Sequence, residues 1–69
     1  MNVKNRLKSY RHKFEKNQKE FADFLGIQSD QYNRYENNRR QPALGIAIKI
    51  SERLGEPVNN IFYLMDSDK

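Results

Sequence analysis

The stretch NQKEFADFLGIQSDQYNRYENNRRQP, from Asn17 to Pro42, carries its own punctuation. Asn17 stands where a helix N-cap belongs. Glu20 follows three residues later, as in a capping box, and the apolar residues Phe21, Ala22, Phe24 and Leu25 come next. Gly26 suits the left-handed residue that ends such a helix. A second helix starts near Gln28 or Ser29 and finishes around Asn37, because Asn37 and Asn38 tolerate left-handed backbone and Pro42 forbids helix just before it. The connection between the two helices is short.

At 100° per residue, Tyr32, Tyr35 and Glu36 fall on one side of this second helix. Ser29, Asp30, Asn33, Arg34 and Asn37 gather on the other. The tyrosines mark the core side, each with a ring that packs and a phenol tip reaching solvent or a phosphate. The outer row suits base edges. Arg34 can fork onto guanine O6 and N7, Asn33 can pair with adenine, Ser29 can donate or accept, and Asp30 can accept from cytosine N4. Asp30 also sits where a carboxylate favours a helix N-terminus, so it is a candidate cap as well as a candidate reader.

Outward from this pair, Val3, Leu7, Tyr10 and Phe14 recur every three or four residues and predict a basic first helix over Val3–Phe14. After Pro42, Leu44, Ala47, Ile48, Ile50 and Leu54 cover a broad arc, which predicts a central, nearly surrounded fourth helix with Ile46 standing apart. Gly55 stops it. Pro57 suits the start of a short fifth helix whose Val58, Ile61 and Phe62 close the core. No alternating strand pattern of any length appears. The expected architecture is all-α, five short helices in one domain over 1–64, with a short C-terminal tail at 65–69.

Sixty-nine residues, 36% of them hydrophobic, can bury only a small core. There is no cysteine, so no disulfide can staple the fold. The single His12 lacks catalytic or metal-binding partners in sequence, and no nucleophile–base or acid pair is assembled, so neither an enzyme nor a metal, cofactor or small-molecule site is expected. No apolar run nears the roughly 20 residues that span a bilayer, and the start lacks a signal-peptide pattern. The expected setting is the cytoplasm, at the nucleoid. Formal charge is +4 and pI about 9.6. Seven Lys and Arg residues between Lys4 and Lys19 face only Glu15. Such a field favours double-stranded DNA as partner.

These features together resemble the helix-turn-helix domain of the lambda-repressor-like, or XRE, family of bacterial and phage transcriptional regulators. Gln18 stands at the family's glutamine opening helix two, Phe21-Ala22 at its apolar-alanine pair, Gly26 in its turn, Tyr35-Glu36-Asn37 at its apolar-Glu-Asn signature and Pro42 at its loop proline. The resemblance implies that helix three enters the major groove while Gln18 and the loop Asn37, Asn38, Arg39 and Arg40 hold phosphates. It also implies a mostly buried structural salt bridge between Arg11 and Glu36. The chain departs from the family at Glu15 and Lys16, which replace glycine and an apolar residue, and at Asn38, which replaces glycine.

One module reads only a few base pairs, so a homodimer on a pseudo-palindromic operator is expected, with recognition helices about 34–36 Å apart. Candidate contacts are Ile46 and the apolar run Ile61–Met65, including Tyr63 and Met65. These residues could instead complete the core, and an extended pairing of the N-terminal residues with Tyr63–Met65 is a further option. The family implies a repressor. Rival readings are an antitoxin that also binds a toxin, and a protein-interaction module without a DNA face.

Overall fold

A computed structural model describes residues 2–65 of the chain. Its elements are β1 (Asn2–Asn5), α1 (Leu7–Lys13), α2 (Gln18–Leu25), α3 (Ser29–Glu36), α4 (Leu44–Leu54), α5 (Val58–Ile61) and β2 (Phe62–Met65). The five expected helices are present, and a two-stranded antiparallel sheet joins the chain ends. Its register pairs Asn2 with Met65 and Asn5 with Phe62.

The first helix is therefore shorter than its apolar spacing predicts. Val3 lies in β1, not on α1. Asn5 makes the break: its Oδ1 accepts from the Leu7 N–H at 3.0 Å, while the Arg6 N–H donates to the Ile61 carbonyl at 2.8 Å. Backbone that would have continued a helix is drawn into the sheet. Met65, assigned from sequence to a tail, closes β2 opposite Asn2; residues 66–69 lie outside the described residues.

The core gathers Leu7, Phe21, Leu25, Tyr32, Ile50 and Ile61, all fully buried. Phe14, at the end of α1, packs edge-on against Phe21 and Phe24 with centroids 5.8 and 5.3 Å away. Lys16, which stands in place of the family's apolar residue, is half-buried with its Nζ 5.8 Å from the Phe24 ring centroid. Glu15 completes that turn at φ 56°, a left-handed conformation that costs an L-residue about 1–2 kcal/mol.

α4 is not surrounded. Only Ala47 and Ile50 are buried on it, whereas Leu44 is 74% and Ile48 45% exposed. Ile46, expected to stand apart, packs against the core. The polar side of α4 does carry structural weight for its neighbour: Lys49 Nζ donates to the Gly26 carbonyl at 2.9 Å and Arg53, in the last turn, to the Phe24 carbonyl at 3.2 Å. Those two cations meet the carbonyl end of α2, where the helix dipole is negative.

Candidate nucleic-acid interface

α2 begins with the reciprocal cap its sequence announces. The Asn17 side chain accepts from the Glu20 N–H at 2.8 Å, and Glu20 accepts from the Asn17 N–H at 3.0 Å. Gly26 ends the helix at φ 75°, and a Cβ there would come within 3.0 Å of Lys49 Cε. The turn is short because the next residues are already committed: the Ile27 N–H returns to the Ala22 carbonyl, and α3 starts at Ser29.

Gln28 sits at the N-cap of α3 but makes no side-chain cap there. Asp30 partly compensates, since its Oδ1 accepts from the Gln31 N–H at 3.0 Å. One first-turn amide is thereby satisfied, and the carboxylate lies at the positive end of the helix dipole. Tyr32 and Tyr35 enter the core, at 0% and 6% exposure. The expectation that their phenol tips reach solvent or phosphate fails for Tyr32, whose hydroxyl instead donates to Glu36 Oε1. Burial first, and the adjacent Glu36 carboxylate second, push the pKa of that phenol far up, so it stays a donor.

Glu36 is the hub. Its side chain is 4% exposed, and Arg11 grips it with Nε at 2.8 Å and Nη2 at 3.1 Å from the two oxygens. A third guanidinium nitrogen, Nη1, donates to the Lys16 carbonyl at 3.2 Å and so ties the α1–α2 turn to the same arginine. Gln18 Nε2 donates to Glu36 Oε2 at 3.1 Å. Burial works to raise the Glu36 pKa, but the hydrogen bonds from Arg11, Tyr32 and Gln18 outweigh it and hold the carboxyl below the usual range. The Arg11 pKa is raised in turn, chiefly by its hydrogen bond to Glu36.

The outward side of α3 presents Ser29, Asp30 and Arg34 exposed, with Asn37 at its C-cap also exposed. Asn33 is half-buried and leans toward α2, donating from Nδ2 to Gln18 Oε1 at 3.0 Å. Beyond α3, Asn38 adopts φ 61° in place of the family glycine, and the Arg39 N–H closes onto the Arg34 carbonyl at 2.8 Å. Arg39 and Arg40 are exposed and make no side-chain bond among the described residues. Gln41 Nε2 braces the loop by donating to Asn38 Oδ1 at 3.0 Å and to the Val3 carbonyl at 3.3 Å.

Two placements differ from what the sequence suggested. Gln18, assigned to phosphate, is engaged inside the protein by its oxygen and by one donor, which leaves a single N–H for any outside partner. Asn5, to which the sequence drew no attention, spans β1 and α3 by donating from Nδ2 to the Tyr35 carbonyl at 2.9 Å. Of the candidate dimer residues, Ile46 belongs to the core periphery, Tyr63 is half-buried under the Arg6 guanidinium at 4.3 Å, and Met65 is 45% exposed. Leu44 and Ile48, which the sequence had given to the core, are exposed apolar residues, as is Leu64 of the candidate run Ile61–Met65.

A capped helix, a glycine turn and a second helix that buries tyrosines while showing a polar row outward define a helix-turn-helix domain. A helix-turn-helix family profile matches residues 7–60. The chain belongs to the lambda-repressor-like, or XRE, helix-turn-helix family of DNA-binding transcriptional regulators. No curated protein matches it. Among the described residues, no helix is long and apolar enough to cross a membrane, and no group of three or more His, Cys, Asp or Glu is placed to hold a metal ion.

Proposed function

We propose that the chain is a repressor that binds a pseudo-palindromic operator as a homodimer and excludes polymerase from an overlapping promoter. The observation that carries this reading is the exposure of Ser29, Asp30 and Arg34 on the open side of α3, with the half-buried Asn33 beside them and Arg39 and Arg40 exposed just beyond. The first set offers donors and acceptors for base edges in the major groove. The second offers charge to phosphates, joined by Asn37, by the remaining N–H of Gln18 and by Asn38. Arg11 is kept out of this contact surface by its bond to Glu36.

The dimer surface is proposed on the exposed apolar residues. Leu44 and Ile48 lie one turn apart on α4, beside a groove of about 310 Å³ lined by Val3, Gln41, Pro42, Leu44, Ala47, Val58 and Phe62. Leu64 pairs with Val3 across the sheet and extends the same face. No charged residue lines the groove, in a chain of net charge +4. Two copies can meet there without opposing like charges, and a contiguous exposed apolar patch supports an interface. The loop carrying Arg39 and Arg40 leads directly into α4, so this contact lies near the proposed DNA face.

Binding-site selection from random duplexes tests the whole reading. Two inverted half-sites, centred about 10–10.5 base pairs or a multiple of that apart, are expected. A single unpaired half-site would remove the dimer, and absence of any enriched sequence would remove the operator.

A further inference from the structure

Glu36 is usually the kind of residue credited only with holding helices together, but its hydrogen bonds have a direction that runs out to the surface. A carboxylate can only accept. Its two oxygens take Arg11, Tyr32 and Gln18, so the Gln18 side chain must turn its NH₂ inward. Gln18 Oε1 then points at α3, where it too can only accept. Asn33 must therefore turn its NH₂ toward Gln18, and the bond observed there is 3.0 Å long.

Each link forbids the reverse. Turning Asn33 over would set its oxygen against Gln18 Oε1, and turning Gln18 over would set its oxygen against Glu36 Oε2. Either change loses a hydrogen bond and opposes two acceptors. Asn33 is left with its Oδ1 free and one amide hydrogen in reserve. That is an acceptor beside a donor, which matches the N6 amine and N7 of adenine. Guanine offers acceptors at both O6 and N7, and thymine offers an acceptor at O4, so neither satisfies the free oxygen.

We infer that Gln18 and Glu36 are positioning residues that preset the amide of Asn33 to read adenine, so that specificity at one base pair is fixed by a buried carboxylate two residues removed from the DNA. The inference rests on the proposed major-groove role of α3 and adds a second role for Gln18 beyond phosphate contact.

The test uses Gln18→Met, which keeps the bulk and removes the relay, and Gln18→Lys, which restores a donor to Glu36 but offers Asn33 no acceptor. Asn33→Ala and the Gln18→Met/Asn33→Ala double variant complete the cycle. Affinities are measured on the selected operator and on duplexes carrying each single base-pair change. Thermal melts identify variants that remain folded.

Asn33→Ala should abolish the adenine preference at one base pair. Both Gln18 variants should lower that same preference by about threefold or more, a substantial part of what a good bidentate contact supplies. Gln18→Met should leave the preference unchanged once Asn33 is already alanine. In the protein without DNA, the Asn33 side-chain amide protons should exchange slowly and lose that protection in Gln18→Met. Uniform weakening on every duplex with the adenine preference intact would overturn the inference and reduce Gln18 to a phosphate contact. Protected amide protons together with no base-specific effect of Asn33→Ala would show that the relay exists but that Asn33 does not read DNA, which overturns the groove assignment itself.

Discussion

Replacing Arg11 by methionine isolates the contribution of the buried ion pair. The change keeps much of the aliphatic bulk but removes both bonds to Glu36 and the bond to the Lys16 carbonyl. Glu36, 4% exposed, would retain Tyr32 and Gln18 but lose the counter-charge of Arg11. Breaking a buried pair costs about 3–5 kcal/mol, whereas an exposed pair contributes about 0–1 kcal/mol. Arg11 itself keeps 14% exposure, so water can reach the edge of the site and the loss should lie near the lower end, about 3 kcal/mol. Domains of this length have about 3–10 kcal/mol in total, at the usual stability per residue. The variant should therefore be close to unfolding near neutral pH.

The pH dependence supplies the sharper check. In the native protein the Glu36 pKa is depressed in the fold, so its stabilisation is present above the unfolded value of about 4.3 and is lost as pH falls through the lower folded value. Without Arg11, burial should raise that pKa instead. The variant's deficit should then be greatest above its raised pKa and shrink as pH falls below about 4.3, where Glu36 is protonated in both folded and unfolded chains. Urea melts followed by circular dichroism at several pH values measure both effects. A deficit under about 1 kcal/mol that does not change with pH would refute the reasoning, because it would mean the pair behaves like a surface bridge.

Four further outcomes are expected. Arg34→Ala should cost about 1–3 kcal/mol of binding and relax selectivity at one base pair, read by anisotropy on single-substitution duplexes. Arg39→Ala should instead weaken all sequences alike and reduce the salt slope by about one. Glu15→Gly should raise the melting midpoint by relieving the left-handed strain, with a gain of about 0.5–1 kcal/mol after the extra chain entropy of glycine is subtracted. Leu44→Glu, at a site already 74% exposed, should leave the thermal melt nearly unchanged while abolishing self-association in sedimentation; unchanged association would move the dimer surface elsewhere.

The centre of the fold was legible because its signals are local. Asn17 and Glu20 lie three residues apart, Gly26 marks its own turn, and the spacing of Tyr32 and Tyr35 alone separates an inner from an outer side of α3. The sheet was legible only as one option, an extended pairing of the N-terminal residues with Tyr63–Met65, because β1 and β2 are four residues each and meet across nearly the whole chain. Val3 alone carried an apolar signal in β1, and it happened to fit the helical spacing of Leu7. Periodicity also names the apolar face of α4 without saying how far other elements cover it, so Leu44 and Ile48 read as core. At the site, residue types indicated what Gln18 and Asn33 could bind, but not that they bind each other. That link needs the separation of α2 and α3, which only the folded chain defines.

Chemical-shift mapping of the free protein against the selected operator tests the central claim most directly, because it reports on every backbone amide and side-chain NH₂ at once. The largest changes should fall on Ser29, Asp30, Asn33 and Arg34 and on the loop from Asn37 to Arg40, with α5 little affected. Changes confined to α1 or to the apolar face around Leu44 and Leu64, with α3 unmoved, would contradict insertion of that helix into the groove.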